Sequence, residues 1–260
     1  ELAAQEIMAP ASSKVLAFSY QAVASILSKV GESDLALIAA DRGLSAAERS
    51  GIAPVRASLI RCMAFTLHST GRFEAAMRLV DAGTDYVNRE IRGDDAVLTS
   101  VCGTLFLVGS MAAARSGDRT KTGRYLEQAT VAAGRLGRDA NHLWTAFGPT
   151  NVAIHRVNTA VELGDARTAL RSTTLAAHTK AIPSERRVRY LLDVARAHSM
   201  AGDRDDALGT LLTAEKIAPE QVQQHYLSRK VVMALTRNAI RRPSAELANL
   251  AKRMKVGELG

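Results

Sequence analysis

The sequence predicts an all-α fold in which helical hairpins stack one on another, and three observations predict it. Glycines recur at Gly31, Gly71, Gly117, Gly164 and Gly202, roughly 40 residues apart, each between two apolar helical runs. Small residues recur at fixed distances from them. Aromatic residues make up only 4% of the chain while alanine is abundant, which suits close helix packing better than a sheet of β-branched and aromatic side chains.

With the glycines held in register, Ala36, Ala76, Thr122, Ala169 and Ala207 stand five residues on, and Gly43, Gly83, Ala129, Ala176 and Ala214 twelve residues on. Seven residues before each glycine stand Ala24, Ala64, Ser110, Val157 and Ala195, small in four repeats of five. Antiparallel helices joined by a short turn approach closely only where neither presents a bulky side chain, and glycine supplies the backbone freedom that ends the first helix. The spacing therefore predicts a right-handed superhelical, tetratricopeptide-like solenoid of about five helix pairs within one domain spanning 1–260. The pairs fall near 12–49, 54–90, 94–136, 149–179 and 184–217. Pro54, Pro149 and Pro183 sit at or just before the first turns of their helices, where a missing N–H costs nothing. A stretch from Pro219 to about Asn238 and a short helix after Pro243, over 219–255, would cap the stack.

At 260 residues and 47% hydrophobic content, the chain can bury a large core without disulfides or metals. No run long and apolar enough to span a membrane and no leader pattern stands out, which points to a soluble, cytoplasmic protein. Cys62 and Cys102 sit in apolar runs without metal-ligand spacing and read as core residues. The net charge of +8 is compatible with nucleic acid, anionic ligands or an acidic partner.

In such a solenoid the first helix of each pair lines the inner face. On the seventh helix Asn151, His155, Asn158 and Glu162 fall within about 60° of one another, a directed polar row. Paired asparagines can grip a peptide backbone or ligand amide, and His155 adds a donor that changes with pH; an ordinary solvated face would look the same. Just upstream, Asn141 to Pro149 holds Trp144 and Phe147, which either form a lid over a groove or plug a hole between repeats. The same register places Phe18, Ser58, Cys62, Thr104, Val108, Arg189 and Asp193 along the inner surface, with Arg196 nearby. A groove apolar at one end and charged at the other suits an amphipathic small molecule or peptide.

Arg186, Arg187, Arg189, Arg229, Lys230, Arg237, Arg241, Arg242, Lys252, Arg253 and Lys255 form a late basic cluster, read as solvated surface because neither interleaved aromatics nor a recognition-helix motif accompanies it. No nucleophile elbow, phosphate loop or metalloprotease motif occurs, and the six histidines, His68, His178, His198 and His225 among them, define no triad. Neither an enzyme nor a cofactor is expected.

The run His142-Leu143-Trp144-Thr145-Ala146-Phe147-Gly148-Pro149-Thr150-Asn151-Val152-Ala153-Ile154-His155-Arg156, with Ala160 to Ala166, resembles a segment of the actinobacterial XRE-type helix-turn-helix transcriptional regulators with a tetratricopeptide-like C-terminal region. Ala39-Ala40-Asp41-Arg42, Ala113 to Asp118 and Tyr190 to Ala197 extend the resemblance along the whole chain. It implies a ligand-sensing or oligomerisation half of a regulator, with DNA contacted only through an N-terminal domain outside this chain and with a homodimer left open. A protein-interaction scaffold that docks a partner peptide, without DNA, is the alternative.

Overall fold

The computed structural model describes residues 10–173, 183–237 and 244–256. Predicted residues 174–179, with Ala176 and His178, and Asn238, Arg241, Arg242 and Pro243 lie outside them. Among the described residues the regular structure is helical: α1 (Pro10–Val30), α2 (Ser33–Ser50), α3 (Ala53–Ser69), α4 (Phe73–Glu90), α5 (Ala96–Arg115), α6 (Arg119–Leu136), α7 (Pro149–Glu162), α8 (Ala166–Ser172), α9 (Ser184–Ala201), α10 (Arg204–Ile217), α11 (Pro219–Gln224), α12 (Tyr226–Arg237) and α13 (Ala245–Arg253). The chain forms two compact units, Glu1–Val152 and Ala153–Gly260.

One turn recurs five times. Gly31, Gly71, Gly117, Gly164 and Gly202 all take left-handed backbone, with φ between +77° and +90°. The N–H after each glycine donates to a carbonyl five residues earlier, as in Asp118 to Ala113 at 2.9 Å and Asp165 to Ala160 at 2.8 Å. This pattern satisfies carbonyls that the ending helix leaves free. Four residues past that N–H, the small residues Ala36, Ala76, Thr122, Ala169 and Ala207 close the first bond of the next helix. Asp118 and Asp165 also cap α6 and α8 through their side chains.

Burial explains the small residues. Those five, and Ala24, Ala64, Ser110, Val157 and Ala195, are all buried at the contact between the helices of each pair. Gly43 and Gly83 serve differently from the turn glycines. A Cβ on Gly43 would stand 2.8 Å from Leu59 Cδ1, and one on Gly83 2.6 Å from Ile60 Cγ2, so these two glycines, on α2 and α4, both make room for side chains of α3.

In the first unit, α1 packs on α2 and α3, and α3 on α4 and α5. Helix α5 carries no charge from Ala96 to Ala114 and is long and apolar enough to cross a membrane, a run the sequence reading passed over. Most of its side chains are buried in the unit, including Leu98, Val101, Leu105 and Val108, as in the core helix of a folded domain. In the second unit, Val188, Leu192, Leu211, Val232 and Leu250 bring α9, α10, α12 and α13 into one apolar core. The stretch from Pro219 to Arg237 is two helices, broken where His225 adopts extended backbone.

Candidate functional site

The predicted inner-surface residues divide between the two units. In the first unit, Ser58, Cys62, Thr104 and Val108 are buried between helices and present no open lining. Ser58 Oγ donates to Gln21 Oε1 at 2.8 Å, tying α3 to α1. Asn151 is buried as well. The register assigned these residues to the inner side, but neighbouring first helices pack against that side and cover it. Burial raises the thiol pKa values of Cys62 and Cys102, the latter to about 11, so both remain protonated at neutral pH.

The segment between α6 and α7 is a seated loop. Its base is closed by a bond from Ala140 N to Phe147 O at 2.9 Å and by Asp139, which accepts from Thr150 N at 3.1 Å and Thr150 Oγ1 at 2.6 Å. Phe147 is fully buried against Gly103 of α5, where an added Cβ would lie 2.0 Å from the ring. Phe147 is therefore a plug and not part of a lid. Trp144 is 62% exposed and meets Phe18 of α1 edge-on, ring centroids 5.3 Å apart. Leu143 packs against the apolar cluster built from α3 to α6. Leu143, Trp144 and Ala146 all take positive φ, at 47°, 58° and 43°, a conformation that L side chains adopt at a cost of about 1–2 kcal/mol each. The loop thus runs from α5 to α1 over the first helices, held in a backbone it would not choose alone.

In the second unit, Asn158, Arg189 and Asp193, assigned by register to a groove lining, contact one another, joined by Arg196 and Glu162. Asp193 is buried, accepts from Asn158 Nδ2 at 2.9 Å and Arg196 Nη1 at 3.1 Å, and lies 3.7 Å from Arg189 Nε. Arg196 also reaches Glu162 Oε1 at 2.8 Å. The polar row of α7 therefore turns largely toward α9 and not into open solvent: Asn158 is buried, while His155 is partly exposed.

Among the histidines that define no triad in the sequence, His225 stands out in the structure. Its Nε2 stands 3.2 Å from Arg189 Nη1, and its Nδ1 accepts the Leu227 N–H at 3.1 Å, capping α12. Burial, then the charges of Arg189 and Arg196, push its pKa down to about 4, so the ring is neutral at pH 7. The only local signal was position, six residues after Pro219.

Fold and site together define an all-α repeat protein of helical hairpins. The chain is similar to the crystal structure of Podosopora anserina kinesin light chain nearly identical TPR-like repeats, with a TM-score of 0.51 at 15% identity over 82% of this chain and 98% of that one. That likeness shows a tetratricopeptide-like fold. No protein-family model matches the chain, and no curated protein matches it.

Proposed function

We propose that the chain is a protein-interaction scaffold whose first helices dock a segment of a partner. The observation that carries this is the loop at 138–148: the surface of α1, α3 and α5 already holds an irregular stretch of polypeptide by its Phe147, Leu143 and Trp144 side chains. Beside it Trp144 and Phe18 leave aromatic surface open to a partner's apolar side chains. The tetratricopeptide-like fold supports the same reading. Attachment to a helix-turn-helix DNA-binding domain, in a regulator that senses a small molecule or peptide, is a second proposal, supported by the sequence resemblance around Trp144 to His155.

Trp144 is the chain's one tryptophan, which makes the test direct. Peptides from a library of short sequences that bind the purified chain are expected to shift its emission, with weaker binding to Phe18→Ala. Peptides that bind a Phe18→Ala, Trp144→Ala variant with undiminished affinity would place docking elsewhere.

A further inference from the structure

The contact between Arg189 and His225 does not balance as hydrogen bonding. The Leu227 N–H belongs to the first turn of α12, where no intrahelical acceptor exists, and the His225 Nδ1 lone pair takes it at 3.1 Å. A neutral imidazole with Nδ1 accepting carries its proton on Nε2. That N–H then faces the Arg189 Nη1 donor at 3.2 Å, donor against donor. Assigning the proton to Nδ1 moves the conflict to Leu227 without removing it. Protonating the ring makes both nitrogens donors, and the neighbouring Arg189 and Arg196 charges oppose it. Among the described residues, either neutral arrangement lacks an acceptor. The Arg189 and His225 side chains are both partly exposed, although Arg189 Nε is buried, so an acceptor can approach the pair from its open side.

We infer that Arg189 and His225 form a carboxylate-binding site, in which one oxygen of an acidic partner segment accepts from both Arg189 and the His225 Nε2–H. The inference rests on the docking reading above and adds a partner chemistry in the second unit.

The surroundings specify the charge. Arg189 and Arg196 are matched by Asp193 and Glu162, and Lys230 supplies the surplus positive charge. His225 stacks on Tyr226 with ring centroids 5.2 Å apart, and the Lys230 ammonium lies 5.5 Å from the centre of the Tyr226 ring. The result is a row from Arg189 through His225 and the half-exposed Tyr226 to Lys230, offering two donors, a partly exposed aromatic ring and a cation. A single carboxylate followed by apolar side chains fits that row. A phosphate dianion fits less well, because the buried Asp193 carboxylate lies 3.7 Å behind Arg189 and opposes a second negative charge.

The test uses the full chain and two labelled peptides of about ten residues, one alternating glutamate and leucine, the other glutamine and leucine. His225→Asn and Arg189→Gln are the variants. The asparagine oxygen can still cap α12, so His225→Asn removes the Nε2 donor while preserving the helix start. The glutamate peptide is expected to shift the His225 imidazole nitrogen resonances and to bind each variant at least about tenfold more weakly, with the glutamine peptide binding wild type weakly. Equal binding of both peptides, or unchanged affinity in folded variants, overturns the carboxylate site and leaves docking standing. Failure of the glutamate peptide while library peptides still shift Trp144 emission does the same. A thymidine oligonucleotide that binds through Arg189 and displaces the glutamate peptide would overturn it in favour of phosphate.

Discussion

The two compact units use the same hairpin but finish its first helices with different chemistry. In residues 10–152 the surface of α1, α3 and α5 is apolar and aromatic, and a loop of the chain itself rests on it through Phe147, Leu143 and Trp144. In residues 153–256 the corresponding helices α7 and α9 share an apolar cluster around Val157, Val161, Tyr190 and Val194 and add a polar network of Asn158, Glu162, Asp193 and Arg196, with Arg189 and His225 beyond them. The comparison teaches that the turn glycines and small residues fix the hairpin, while the side chains between successive first helices are left to determine what the surface can hold. Both units keep an apolar core, and the second adds a partly buried charged network between its first helices.

The sharpest way to break that contrast is to remove a matched charge. Asp193→Ala leaves two arginines without their shared carboxylate and is expected to destabilise the second unit by about 3–5 kcal/mol in urea unfolding, whereas Ser58→Ala, which removes the neutral Ser58–Gln21 bond, costs about 1 kcal/mol. Equal losses would erase the distinction. Next in size, Gly103→Ala drives a methyl into the Phe147 ring. A loss of about 1–3 kcal/mol is expected, with a change in Trp144 emission as the loop lifts. Gly117→Ala meets no crowding but must hold a φ of +82°, so about 1–2 kcal/mol is expected, without any change in Trp144 emission.

A pH dependence tests the same contrast without a core substitution. The folded-state pKa of His225 lies near 4, below its ordinary 6.5, so between these values the unfolded chain binds more protons than the folded one. Its contribution to stability is complete above about pH 6.5 and is lost as pH falls through 4. Urea midpoints of wild type and His225→Asn measured across this window should converge as the pH drops; parallel curves would show that the ring is not held neutral.

The hairpins were legible because their signal is local and repeated. A glycine at left-handed φ and a small residue five positions on are requirements of one turn, met again at Gly31, Gly71, Gly117, Gly164 and Gly202. Site chemistry was less legible because it depends on partners distant in sequence. Helical periodicity put Asn151, His155 and Asn158 on one stripe but does not say which helix will cover it, and α9 covers Asn158. Trp144 and Phe147 looked alike until Gly103, far upstream, opened space for one ring and not the other. His225 was invisible because no glycine or proline marks the break between α11 and α12, and its partner Arg189 lies 36 residues away.

Amide hydrogen exchange on the full chain, with and without a peptide selected by Trp144 emission, tests the docking surface most directly. Added protection over 138–148 and around Phe18 of α1 is the predicted result. Protection confined to the second helices α2, α4 and α6, with the loop and α1 unchanged, would contradict it.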